Sequence, residues 1–162
     1  MLGDPMQVLD PRWKRCATLL VEMSGVKKID IDKIVKASIS QEDIFLIQLL
    51  SLIYVESRFN RLAISDAGAY GYTQITKPAV LDAAAYCGLS KNPKNWYDTN
   101  INIKYGSCYL QKLIKETGDW TSALVVYNGG YKQLTKYQKG EQMLPETSNY
   151  VLQVLRVEAL CN

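Results

Sequence analysis

The sequence predicts a mostly α-helical domain carrying one small β-hairpin-like insertion beside its functional cleft. Three observations lead there. The apolar stretch IFLIQLLSLIYV runs unbroken to Glu56, and a span of about sixteen residues is too long for a buried strand. From Ser57 to Thr76 the chain turns polar and glycine-rich, with Asn60, Asp66, Gly68 and Gly71, which suits turns or a hairpin. Helical periodicity precedes and follows both segments. At 162 residues the chain has the length of one domain with a real core.

Taken in order, Trp13, Cys16, Ala17, Leu20 and Met23 fall at helical spacing after Pro11, and Gly25 suits a stop. A short second helix is expected from Asp30 to Ala37. Ser40, Gln41, Glu42 and Asp43 have the form of a capping box that opens the apolar helix, and a helix hydrophobic on nearly every side belongs at the centre. Pro78 suits the first turn of a helix over 77–86, which Gly88 ends. Periodicity resumes at Thr99 and runs to Thr117, where Gly118 breaks it. A shorter helix from Trp120 to Tyr127 is expected to stop at Asn128, Gly129 and Gly130, followed by a loop rich in tyrosine and lysine. Pro145 begins the last helix, with Tyr150, Val151, Val154, Leu155 and Val157.

Composition excludes several chemistries. There is no histidine, so a Ser/His/Asp triad, a Cys/His pair and a His-ligated zinc are impossible. Acid/base work then falls most simply to a carboxylate whose environment has moved its pKa. Cys16, Cys87, Cys108 and Cys161 form no CxxC pair, and buried thiols are the favoured reading over disulfides. The net charge of +3 is mild and scattered, so no nucleic-acid surface is indicated. No stretch is long and apolar enough for a membrane span. The short apolar run after Arg12, Lys14 and Arg15 does not read as a secretory signal. Eleven tyrosines are many for this length, and tyrosines stack on sugar faces as well as packing in cores.

Glu56 is the leading candidate for the chemistry. It ends the apolar helix, where partial desolvation and the negative end of the helix dipole both favour its neutral form. A protonated glutamate is what a general acid for glycosidic cleavage needs, although a surface glutamate paired with Arg58 or Arg61 would occupy the same position in sequence. Gly68 to Gly71, followed by Gln74, could bring backbone close to a ligand, but the spacing matches no phosphate loop. Asn128, Gly129 and Gly130 read by themselves as an ordinary helix C-cap.

In order along the chain these pieces resemble the catalytic domain of soluble lytic transglycosylases, relatives of goose-type lysozyme. Glu56-Ser57-Arg58-Phe59-Asn60 is similar to the first motif of that family, whose glutamate is the acid/base. Gly68-Ala69-Tyr70-Gly71-Tyr72-Thr73-Gln74-Ile75 resembles the glycine-rich second motif. Asn102 to Gly106 with Tyr109 and Leu110 resembles a family helix pattern, Val126 to Gly130 the third catalytic motif, and Glu146 to Val151 the fourth, whose tyrosine contacts the glutamate. The chain departs from the family at Tyr72-Thr73, where relatives carry Leu-Met or Met-Met, and at Val126, where they carry alanine; the first departure bears on subsite preference.

The resemblance implies an α+β lysozyme-like fold and a single catalytic unit over 40–162; residues 1–39 lie outside it and read as an N-terminal helical extension. It also implies cleavage of the β-1,4 bond between N-acetylmuramic acid and N-acetylglucosamine to a 1,6-anhydro product, without metal or cofactor. Glu56 would be the catalytic residue. Tyr150 would orient it, while Ser57, Gln74, Tyr127 and Asn128 would hold substrate or shape the cleft. A hydrolytic muramidase on the same fold would need a second carboxylate, for which Asp66 is the candidate, although it reads more simply as a turn residue. A wall-binding or virion structural protein is the rival from another class. The partners expected are peptidoglycan glycan strands and, with no signal peptide read, other virion proteins. The chain reads as a bacteriophage enzyme made in the cytoplasm that acts on the bacterial wall, virion-carried or released at lysis.

Overall fold

A computed structural model describes residues 11–162, so the first ten residues of the expected extension, and of the segment read as lacking a secretory signal, lie outside the described residues. The described residues form seven helices: α1 (Arg12–Ser24), α2 (Ile31–Ala37), α3 (Asp43–Ser57), α4 (Lys77–Cys87), α5 (Thr99–Thr117), α6 (Trp120–Gln138) and α7 (Pro145–Leu160). The apolar helix α3 is buried over most of its circumference, with Leu46, Leu49, Leu50, Leu52 and Ile53 essentially inaccessible. It therefore needs partners on several sides, and α1 and α7 pack against it. Helix α5 carries α2, α4 and α6 on its flanks, and α6 closes against α7.

The capping box expected at Ser40 is not used as such. Glu42 is the N-cap of α3 and makes no side-chain cap bond. The Asp43 carboxylate turns instead to the first turn of α1, accepting from the backbone N–H groups of Arg12 at 3.3 Å and Trp13 at 3.2 Å. Pro11 has no side-chain oxygen to cap α1, so a carboxylate from the neighbouring helix satisfies those donors.

The expected β-hairpin-like insertion is absent: the fold is all-α, and no strand occurs among the described residues. Between α3 and α4 the chain makes only two isolated antiparallel bridges, Ile64 to Tyr70 and Tyr70 to Ile75. The reason is the density of turns. Positive φ values at Arg58, Phe59, Gly68, Gly71 and Gln74 bend the backbone every few residues. A ladder needs several consecutive extended residues on both sides, which this segment never provides.

Two further expectations are corrected. Helix α6 does not stop at Gly130: that residue kinks the chain (φ 76°, ψ 176°), and the helix resumes to Gln138 through the segment expected to be a loop. The cysteines are not buried thiols but two disulfides, Cys16–Cys161 and Cys87–Cys108, with Cα separations of 4.6 and 6.5 Å. The helical pattern that put these cysteines on core faces is also what brings them together where α1 meets the end of α7 and where α4 meets α5.

Candidate active site

Glu56 occupies the last turn of α3, and the chain leaves that helix abruptly. Arg58 (φ 52°) and Phe59 (φ 59°) are consecutive left-handed residues without glycine's freedom. Burial of Phe59 to 1% exposure holds this conformation, since the ring is anchored in the main core. Arg58 stacks over the Tyr54 ring at 4.3 Å and donates to its hydroxyl. The arginine proposed as a surface partner for Glu56 is thus engaged with Tyr54, and Arg61 donates to the Tyr97 carbonyl at 3.1 Å.

The Glu56 carboxyl accepts a 2.7 Å hydrogen bond from the Tyr150 hydroxyl, which reaches it from α7. Burial pushes the Glu56 carboxyl up to about 7, and the Tyr150 bond, which favours the ionised form, only partly opposes that. Burial and the nearby Glu56 charge raise the phenols of Tyr127 and Tyr150 well above their ordinary value, so both are proton donors and not bases here. A carboxyl poised near 7 and held by the Tyr150 phenol can both give and take a proton.

The other sequence-nominated residues divide into those that build the wall and those left open. The Ser57 hydroxyl is buried, 2.8 Å from the Tyr72 carbonyl and 3.1 Å from that of Ile53, and so fastens the glycine-rich turn to α3. Tyr127 donates to the Thr73 carbonyl at 2.7 Å, fastening the same turn to α6. Gln74 spends its amide N–H groups on the carbonyls of Ala63 and Gly71, at 3.2 and 3.0 Å. Asn128 is half-buried beside Tyr127, and its side chain makes no hydrogen bond among the described residues. Asp66 is exposed in the turn from Ser65 to Gly68, where the Gly68 N–H donates to the Ser65 carbonyl at 3.0 Å, and it does not bond Glu56.

Sequence reasoning missed the role of Asn102. This residue of α5 is 1% exposed and fully satisfied. Its oxygen accepts from the Thr73 N–H (3.0 Å) and hydroxyl (2.9 Å), and its amide donates to the carbonyls of Tyr70 (2.8 Å) and Trp96 (2.9 Å). A Cβ at Gly71 would lie 2.4 Å from the Asn102 amide nitrogen, and one at Gly106 would lie 2.3 Å from the Thr73 hydroxyl. The available signal was a polar residue between Ile101 and Ile103 with a glycine one turn later, a pattern suited to close backbone approach.

The family described as "Transglycosylase SLT domain" matches residues 34–149 of the chain. Among solved structures, the fold is similar to an inactive mutant of lytic transglycosylase Slt from Pseudomonas aeruginosa, with 16% identity and a TM-score of 0.65 over 91% of this chain and 23% of that one. It is similar to the 70 kDa soluble lytic transglycosylase of Escherichia coli, with 20% identity and a TM-score of 0.67 over 81% of this chain and 24% of that one. A complex of the 70 kDa soluble lytic transglycosylase with bulgecin A also matches, with 22% identity and a TM-score of 0.72 over 86% of this chain and 25% of that one. The chain thus spans about a quarter of the length of these proteins.

Proposed function

This chain belongs to the transglycosylase SLT domain family, and from that premise we propose that it is a peptidoglycan lytic transglycosylase whose single acid/base is Glu56. The observation that carries the reading is the Tyr150–Glu56 contact at 2.7 Å on a carboxyl pushed up to about 7. Neutral Glu56 protonates the oxygen leaving C1 of N-acetylmuramic acid, and the C1–O bond breaks. The substrate's own acetamido group supports the cationic centre, one of the exceptions to the two-carboxylate rule. Ionised Glu56 then takes the proton of the C6 hydroxyl, whose oxygen closes on C1 to give the 1,6-anhydro end.

In this scheme Tyr150 is a positioning residue. Asn128 offers its amide to the sugar, while Ser57, Gln74 and Tyr127 hold the wall that the sugar rests on. Residues 40–162 carry the catalytic unit, and α1, which precedes it, buttresses α3.

The experiment is a mass spectrum of fragments released from purified peptidoglycan. Products should lack a reducing end and be lighter by one water than hydrolytic fragments, because the tethered C6 hydroxyl has the advantage of an intramolecular nucleophile. Mainly reducing ends would overturn the reading in favour of a muramidase, and Asp66→Asn should then cost activity. With anhydro ends, Asp66→Asn should leave the rate within about twofold, as for an exposed turn residue.

A further inference from the structure

Beyond the kink at Gly130, helix α6 turns Gln133 and Leu134 inward, at 4% and 7% exposure, and packs on α7. A glutamine this buried needs a partner for its amide. The side-chain oxygen of Gln133 accepts a 2.9 Å hydrogen bond from the N–H of Leu144, the N-cap of α7. Gly129 makes room for the clamp, since a Cβ there would lie 2.7 Å from the Gln133 Cγ and 2.6 Å from the Thr147 hydroxyl.

That bond fixes where α7 begins. Leu144 has no side-chain oxygen to cap the helix, and Pro145 brings no N–H of its own. The Glu141 N–H donates to the Lys136 carbonyl at 2.9 Å, and the Ser148 N–H donates to the Leu144 carbonyl at 3.1 Å. Between those two points, among the described residues, the Gln133 bond is the one hydrogen bond that holds the chain. Tyr150 follows Leu144 by six positions, about 9 Å along the helix axis. A slip of one residue would turn α7 by about 100° and carry the phenol off Glu56.

We infer that Gln133 is a positioning residue for the acid/base: through the Leu144 N–H it sets the register of α7 and so holds the Tyr150 hydroxyl on the Glu56 carboxyl. Its effect on rate rests on the reading of Glu56 given above. The titratable groups that bear on Glu56 are Tyr150 from α7 and Tyr127 from α6, with the Tyr109 ring of α5 behind Tyr127 at 5.5 Å. Arg58 is engaged by Tyr54, Arg61 by the Tyr97 carbonyl, and Arg12 by Asp43 at the far end of α3; Asp66 is exposed and does not bond Glu56. Loosening the start of α7 therefore acts on Glu56 through the Tyr150 bond, which favours the ionised form, and its loss raises the carboxyl.

Two variants of the full chain break the clamp from opposite sides. Gln133→Met keeps the length of the side chain and removes the acceptor. Leu144→Pro removes the donor, at a residue whose φ of −56° already suits proline and whose side chain is exposed. Both should fold, which melting curves verify, and each should lower kcat on purified peptidoglycan about fivefold with KM near the parent value, the scale of one hydrogen bond. The Glu56 titration, read from carboxyl ¹³C shifts of glutamate-labelled protein against Glu56→Gln, should move upward in both. In a Tyr150→Phe background neither change should lower kcat further by more than about 1.5-fold, because the contact it protects is already gone. A titration that stays in place or moves down, or an undiminished loss in the Tyr150→Phe background, would overturn the clamp and leave Gln133 a packing residue. Failure of both variants to fold would overturn it as well, since the bond would then determine the fold. A parent without lytic activity would sink the enzyme reading alone, and the titration would still decide the clamp.

Discussion

The desolvation of Glu56 was legible from its place at the end of an apolar helix, because that position predicts burial before any partner is known. What sequence position could not convey is which arginine stays away from it, since that depends on Arg58 turning left-handed and stacking on Tyr54. Glu56→Gln should remove nearly all lytic activity; a rate above about a tenth of the parent, roughly 1.4 kcal/mol of barrier, would falsify its role. The same variant should be the more stable protein at neutral and alkaline pH. With the folded carboxyl near 7 and its ordinary value 4.5, the folded protein holds a proton that the unfolded chain releases between those pH values. Parent stability should therefore fall as pH rises through that window, by about 3 kcal/mol in all, then level off above it. Melting curves should show parent and Glu56→Gln alike near about pH 4 and the variant up to roughly 10 °C higher near about pH 8. Tyr150→Phe removes the bond favouring the ionised form, so the carboxyl should rise further. Its activity should fall about tenfold, as for a lost hydrogen bond to a charged group, while the alkaline limb of the pH–rate profile moves upward. A fall in rate with an unmoved limb would reduce Tyr150 to packing.

At the scale of elements, helix identities and most boundaries could be read from periodicity and from glycine and proline punctuation, because most of the helices bury one stripe, while α3, buried over most of its circumference, is legible from its length. The glycine-rich segment could not be read the same way. Glycine content reports that the backbone bends, not that the flanking residues pair. Here the bends are stabilised from outside, by Asn102, Ser57 and Tyr127, and not by a strand ladder. Asn128 to Gly130 misled for a related reason. Gly129 is needed because a Cβ there would lie 2.6 Å from the Thr147 hydroxyl of α7, and Gly130 is needed for the kink, so neither ends the helix. Both cases predict specific losses. Asn102→Ala leaves the Trp96 carbonyl and the Thr73 N–H without their partners, removes one of the two donors to the Tyr70 carbonyl, which keeps the Ile75 N–H, and should destabilise by about 2 kcal/mol or more. Gly106→Ala drives a methyl into Thr73 and should cost about 1–3 kcal/mol. Both should lower activity through the turn that walls Glu56, and urea unfolding beside kinetics measures the two effects together. An Asn102→Ala protein as stable and active as its parent would remove the turn from this account.

For the whole molecule, the covalent ties were hidden because they follow from packing alone. Cys16 and Cys161 are 145 positions apart and Cys87 and Cys108 are 21 apart, so neither spacing announces a partner. Only when α1 and α7 both flank α3 does the first pair meet, and it then joins nearly the two ends of the described chain. The consequence for stability depends on loop length. By chain entropy, the Cys16–Cys161 tie should contribute about 5 kcal/mol and Cys87–Cys108 about 3 kcal/mol. Replacing both members of the first pair with alanine should therefore lower the urea midpoint more than the same change in the second, although the second pair lies nearer α5 and its Asn102. Thiol titration of the unfolded, unreduced protein should find no free sulfhydryl. Because the first tie fastens helix ends remote from the Tyr150–Glu56 contact, its removal should lower the folded fraction at high temperature while leaving kcat of the folded enzyme close to the parent value. A smaller loss from the long loop than from the short one would mean that the unfolded chain lacking the tie is already compact across α1 and α7, and that loop entropy is not what the tie contributes.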